Sequence, residues 1–329
     1  MFLRFFRSTS APIILLIPFL GLLLWLHAFM SPSTTEFFFD KTQMPLYKFF
    51  TDLFNIQSFP SIFITFSLVV IQGFLLVRLN TRFIFINNRS YFPALFFIMI
   101  TSAIPDLQKI NPVIFSGFFL LLALEKIFES YGDNRLAYDY FVAAFYLSIG
   151  SLFYPFLIFF MLTIWICLIV FRPFNWREWL FTFIGYALPI FFIFCFYYLV
   201  HDQPFRLVSD VKAIFSYKFV SPEYSLPVIV FLCFILFLIV LSSQYLLRTY
   251  QSKKIFPRKA FTVFLWLFIN TALVFLLISK ASIELIFLGA IPVSFLLAHY
   301  FAFVKSVFWG NVFISVLFIL LLAIQTQAF

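Results

Sequence analysis

The stretch EFFFDKTQMPLYKFFTDLFN, residues 36–55, gathers Glu36, Asp40, Lys41, Lys48 and Asp52 in a chain of which only 11% is charged. On either side of it lie apolar runs at 12–30 and 59–77, each of the length needed to cross a hydrocarbon core, about 17–25 residues. The stretch is therefore a connector that stays out of the bilayer, and the chain it interrupts is a polytopic membrane protein. Composition agrees. Apolar residues make up 64% of the chain and mean hydropathy is +1.07, whereas soluble proteins average about 25% charged residues.

Further runs recur near 91–105, 112–128, 136–153, 156–171, 180–200, 226–247, 260–279, 283–303 and 307–326. The expected fold is all-α, a polytopic transmembrane helical bundle of about eleven spans in which residues 1–329 form a single integral membrane domain. Lysine and arginine set its direction, because short cytoplasmic loops hold an excess of them. One alternate set of connections carries 15: Arg4, Arg7, Arg78, Arg82, Arg89, Lys126, Arg135, Arg172, Arg177, Arg248, Lys253, Lys254, Arg258, Lys259 and Lys305. The opposite set carries 7: Lys41, Lys48, Lys109, Arg206, Lys212, Lys218 and Lys280. This asymmetry predicts a cytoplasmic N terminus and a multi-pass protein of the cytoplasmic (inner) membrane. The first run follows Arg4 and Arg7 as a signal peptide would, but HAFMSPS offers no small-x-small cleavage site, so it is expected to remain as an anchor.

The net charge of +9 is scattered in small clusters between apolar runs, which excludes a basic nucleic-acid-binding domain and leaves membrane lipids as the expected partners. Cys167, Cys195 and Cys233 each fall in an apolar run and form neither a disulfide framework nor a metal spacing. His27, His201 and His299 are dispersed, unlike the converging ligands of a non-haem iron centre. No cofactor is expected.

In this orientation two long connections face outward, 31–58 and 201–225. In the first, Leu46, Phe49, Phe50, Leu53 and Phe54 follow one helical face, with Pro45 suited to the first turn. In the second, Leu207, Val211, Ile214 and Phe215 repeat the pattern, while Asp202, Arg206 and Asp210 stand four apart. Such helices lie flat at headgroup level. They either wall off a site where a lipid head meets water or tie long connections to the surface.

The stretch GSLFYPFLIFFMLTIWICLIVFRPFNWREWLFTFIGYALPIFF, residues 150–192, resembles a family of uncharacterised polytopic inner-membrane proteins of Bacteroidetes-type bacteria. The loop architecture is similar to that of C-type polyprenyl-phosphate-dependent glycosyltransferases, with a long outer loop after the first helix and another after the seventh. That resemblance implies a polyprenyl-phosphate-linked sugar as substrate and a lipid-linked glycan as partner. It gives the acidic role, base or acceptor positioning, to Asp40 or Glu36, with Asp106 of SAIPDLQKINP assisting. It gives the lipid phosphate to Arg206, Lys212 or Lys218. The family's two carboxylates a residue apart are absent from both the first and second outer loops.

Other charges have interfacial readings. WREW at 176–179 is an aromatic and basic anchor. Glu125 and Glu129 share a helical face at the inner end of a span, and Asp139 enters the next one. Glu284, His299 and Asn270 connect to no motif. A secondary transporter is the rival function, suggested by GYALP at 185–189 and GAIP at 289–292 in oppositely directed runs. A non-enzymatic envelope assembly subunit, which needs no site, is the third.

Overall fold

Every regular element among the described residues is helical, as hydrocarbon requires of a segment that must satisfy its own backbone. The computed structural model describes residues 6, 11–31, 35, 37–41, 43–54, 59–86, 90–131, 136–171, 174–201, 206–216, 225–278 and 283–328. The helices are α1 (Ala11–Met30), α2 (Phe38–Lys41), α3 (Pro45–Leu53), α4 (Phe59–Phe83), α5 (Phe92–Thr101), α6 (Pro112–Glu129) and α7 (Leu136–Ser151). There follow α8 (Met161–Phe171), α9 (Trp176–His201), α10 (Arg206–Ser216), α11 (Leu226–Thr249), α12 (Ile255–Leu277), α13 (Ile286–Phe303) and α14 (Val307–Ala328). Single 3-10 turns lie at Pro105–Leu107, Tyr250–Ser252 and Ile283–Leu285, and a longer one at Pro155–Phe160 leads into α8.

Seven stretches are long and apolar enough to cross a membrane: Pro12–Met30, Phe59–Phe83, Trp176–Leu199, Leu226–Ser252, Ile255–Leu277, Ile283–Phe303 and Val307–Thr326. The other four expected runs are built differently. The run at 91–105 contains only the ten-residue α5, and 156–171 is a 3-10 turn continuing into α8. α6 and α7 have 18 and 16 residues.

The bundle is apolar outside as well as inside. Leu15, Leu199, Leu226, Leu247 and Leu276 are 72 to 79% exposed, a surface that only lipid would cover without cost. At the centre α5, with every residue buried, packs along α13. α9 lies at the rim, only 17% of its window buried, and packs against α7. A Cβ at Gly185 would stand 2.3 Å from the Phe141 carbonyl oxygen, so glycine is what lets α9 approach α7 this closely. At Gly289 an added Cβ would meet only Thr271 Cγ2, at 3.5 Å. The two glycines of the glycine-proline echoes therefore meet different surroundings.

Long-range contacts sort the described residues into two ends. At one, Tyr47 OH donates to the Ile110 carbonyl at 3.1 Å and Leu46 N to the Leu152 carbonyl at 3.3 Å. Tyr154 OH donates to Glu284 Oε1 at 3.2 Å, and Gln325 Nε2 to the Ser102 carbonyl at 3.2 Å. At the other, Arg78 and Arg82 pair with Glu125, and Arg82 and Lys126 with Glu129. There Lys259 Nζ donates to the Phe171 carbonyl at 3.2 Å and Tyr245 OH to the Phe303 carbonyl at 3.1 Å. Ile84, after α4, has φ 52, a left-handed conformation strained for a β-branched residue. Beside it Phe85, 1% exposed, stacks on Phe256 and meets Phe128, Phe264 and Phe295 edge to face.

Candidate functional site

The described part of the connection between α1 and α4 folds onto the segment 102–111 between α5 and α6, which is irregular but for one 3-10 turn. Irregular backbone needs side-chain partners when it is buried in protein, and here amides supply them. Gln108 Nε2 donates to the carbonyls of Ser102 and Leu24, at 2.8 and 3.1 Å. Trp25 Nε1 donates to Ser102 Oγ at 2.8 Å. Asn111 Oδ1 caps α6 by accepting from Val113 N at 2.9 Å. This scaffold fixes Asp106 and Lys109, which face the folded-back loop.

From surface to interior the site forms a chain of polar groups. Asp106 is exposed, and its Oδ1 accepts from Thr35 Oγ1 at 2.9 Å. The Thr35 carbonyl accepts from Lys109 Nζ at 2.7 Å. Lys109 Nζ also donates to Asp40 Oδ2 at 2.7 Å, and the side chains of this ion pair are 6% and 13% exposed. The ammonium lies 5.1 and 5.7 Å from the ring centres of Phe37 and Phe39, within cation–π reach. Phe37 N donates to the same Asp40 Oδ2 at 2.9 Å. Asp40 Oδ1 is buried and has no hydrogen-bond partner among the described residues. Tyr47, on the packed face of α3, is 0% exposed, and burial with the Asp40 charge pushes its hydroxyl well above the ordinary value. It therefore stays a donor.

The structure thus brings together two of the acidic residues picked from sequence, Asp40 and Asp106, across a separation the chain order hides. Glu36 lies outside the described residues. Asp40 is held in an ion pair with Lys109. Its partner Lys109 entered the sequence reading only as an orientation charge. The available signal was its place: SAIPDLQKIN, residues 102–111, is a ten-residue interval between α5 and α6 that also holds Asp106, too short to keep a lysine far from the connection that carries Asp40.

α3 spans Pro45–Leu53 with proline in the first turn, as expected. Its packed face is Met44, Tyr47 and Phe50, the last against Phe115 and Phe153 at 5.0 and 5.7 Å, while Phe49 and Leu53 are each 60% exposed. The five-residue apolar stripe therefore straddles two surroundings, protein below and lipid at the side. α10 forms over Arg206–Ser216, with Leu207 and Val211 half-buried and Lys212 exposed. The side chain of Arg206 and all of Lys218 lie outside the described residues, as does Asp202. α10 packs on α9, and no packed interface joins it to α3 among the described residues.

Glu125 and Glu129 are neutralised by Arg78, Arg82 and Lys126 at the opposite end, which accounts for their shared face. Trp179 stacks on Trp165 at 5.8 Å and Trp176 is exposed, as anchors would be. Asn270 Nδ2 donates to the Phe159 carbonyl and Thr163 Oγ1, tying α12 to α8. Cys167 is buried and Cys233 exposed on the apolar surface. Among the described residues no group of three histidine, cysteine or carboxylate side chains could hold a metal.

Residues 33–328 match the profile of DUF6427, a family of unknown function, and the chain belongs to that family. No curated protein and no solved structure matches it.

Proposed function

We propose that this member of the family handles a polyprenyl-phosphate-linked sugar at the outer face of the inner membrane, in the manner of a C-type glycosyltransferase. The observation that carries the reading is Asp40 Oδ1, a buried carboxylate oxygen with no donor among the described residues. A buried acceptor in that state is costly until an N–H or O–H reaches it. A sugar hydroxyl meets the need. Asp40 receives the acceptor's O–H and takes its proton as the new glycosidic bond forms, while the sugar–phosphate bond breaks and the phosphate leaves with the electron pair. Asp106 and Thr35 at the mouth would hold neighbouring hydroxyls. Lys109 keeps Asp40 aimed. Arg206, Lys212 and Lys218 of the second loop would offset charge on the departing phosphate.

The orientation is part of the proposal: about eleven crossings, N terminus cytoplasmic. In its favour, residues met successively along the chain alternate between the two ends described above, and the end holding Arg78, Arg82, Lys126, Lys253, Lys254 and Lys259 is the basic one. Reporter fusions after Asn55 and Tyr224 should read outside, and fusions after Asn88 and Lys254 inside. A cytoplasmic signal at Asn55 would overturn the map.

A secondary transporter is the second reading, favoured by the irregular segment 102–111, where the amide oxygens of Gln108 and Gln325 are buried without donors among the described residues. Broken crossings of this kind line substrate paths in transporters. An assembly subunit would need neither feature. The transferase reading is tested by Asp40→Asn against Asp52→Asn in cells carrying no other copy, read as surface glycan. Loss of a general base costs about 10²–10⁴-fold, so Asp40→Asn should abolish the glycan while Asp52→Asn leaves it intact. Normal glycan in Asp40→Asn cells would refute the assignment.

A further inference from the structure

His299, which connects to no sequence motif and plays no part in the outer site, is 1% exposed and touches Lys253, a half-buried lysine with no carboxylate partner among the described residues. Lys253 Nζ lies 2.6 Å from His299 Nε2. An ammonium has no lone pair, so the histidine accepts, and its remaining proton sits on Nδ1. That Nδ1 is buried and has no partner among the described residues. Rings enclose the ammonium on other sides, Phe261 at 5.1 Å and Phe303 at 5.8 Å from centre to Nζ. Among the described residues no carboxylate pairs with Lys253 or Lys254. Burial pulls the Lys253 ammonium down to about 8, as expected for a cation removed from water without a counter-charge.

Lys253, Lys254, His299 and Phe303 border a cavity of about 160 Å³ at the turn between α11 and α12. Lys254 is the N-cap of α12 and provides no side-chain cap. Pro257 has no N–H, so the first amides of α12 are those of Ile255 and Phe256. A helix N-terminus presents unsatisfied N–H groups and partial positive charge. Here it stands beside two lysines, a cavity and an imidazole N–H in need of an acceptor. These are the elements of an anion site.

We propose that this cavity binds a phosphate-type oxyanion. Its oxygens accept from the ammonium of Lys253, which has donors to spare after His299, from Lys254 and from the first amides of α12. The volume has room for a phosphate group. The position, at the turn joining two apolar helices, is open to two sources of that chemistry: the headgroup of an anionic lipid, or free phosphate. The proposal is independent of the outer site, because it uses none of the same residues and lies at the opposite end.

The experiment uses the full chain. In nanodiscs of phosphatidylcholine, Lys253 is acetylated with acetic anhydride at pH 8, where a half-buried amine of this kind reacts ahead of ordinary surface lysines, and its modification is read by mass spectrometry. The charged and titratable groups facing it are His299, Tyr245 and Lys254. Inorganic phosphate, against chloride at equal ionic strength, should protect Lys253 in a saturable way if the source is free phosphate. Nanodiscs containing phosphatidic acid should protect it, with no further effect of phosphate, if the source is a headgroup. Lys48, exposed at the other end, should be protected by neither. A second measurement follows thermal unfolding with the same two probes in wild type and Lys253→Gln. The substitution should weaken the stabilising response about tenfold or more, the worth of a charge-assisted hydrogen bond. Absence of protection from both probes, or a response unchanged in Lys253→Gln, would overturn the proposal. A variant that fails to fold leaves the wild-type protection experiment to decide.

Discussion

Two lysines, one at each end of the bundle, are withdrawn from water in different ways, Lys109 fully and Lys253 by half. Lys109 is 6% exposed and fully matched, by Asp40, by the Thr35 carbonyl and by two aromatic faces. Lys253 is sunk among Phe261, Phe303 and His299 with no carboxylate among the described residues. Burying a charge is expensive unless it is paired. At the Asp40 end the protein meets that cost internally and leaves an acceptor, Asp40 Oδ1, unmet. At the Lys253 end it leaves the cation itself unmet. One end thus calls for a hydroxyl-bearing ligand and the other for an anion.

Substitutions should separate the two ends by sign as well as by size. Lys109→Met leaves Asp40 buried and uncompensated, and breaking such a pair costs about 3–5 kcal/mol. Thermal unfolding of the purified protein should show a large loss, and an unchanged midpoint would mean that the pair is open to water. Gly185→Leu comes next. It places a side chain against the Phe141 carbonyl, 2.3 Å from where its Cβ would lie, and should cost about 1–3 kcal/mol by overpacking α7 against α9. Lys253→Met should show the reverse sign from Lys109→Met, no loss or a small gain in phosphate-free buffer, because it removes a cation that has no counter-charge. A loss comparable to that of Lys109→Met would erase the contrast. Smallest is Asp52→Asn, on the exposed side of α3, which should melt with the wild type.

Much of this architecture is readable from residue order. The apolar runs that became α1, α4, α9 and α11 to α14 are long and unbroken, so length alone marks them as candidate spans. α5 is harder. Its ten helical residues are apolar all round because every one is buried, and the run then leaves the helix at Ser102 with no glycine or proline until Pro105. What ends it is tertiary: Gln108, Gln325 and Trp25 reach in to satisfy Ser102, and no local pattern announces such partners. The site divides in the same way. Asp40 and Asp106 stand out because aspartate and glutamate together number only 13 in the 329 residues. Lys109 and Asp40 are 69 residues apart, and nothing in either neighbourhood points to the other. His299 and Lys253 are 46 apart, the lysine legible only as an orientation charge and the histidine connected to no motif.

The central claim is that Asp40 does more than neutralise Lys109. The double variant Asp40→Asn/Lys109→Met tests it, because it removes both charges while the asparagine oxygen still accepts from Phe37 N. Replacing a buried pair by uncharged groups is often neutral or stabilising, so the double variant should recover most of the stability lost in Lys109→Met alone. Stability and surface glycan are then measured on the same cells. The account predicts a folded, abundant protein and no glycan. Glycan restored together with the fold would contradict it, and would make the Asp40–Lys109 pair a structural clasp.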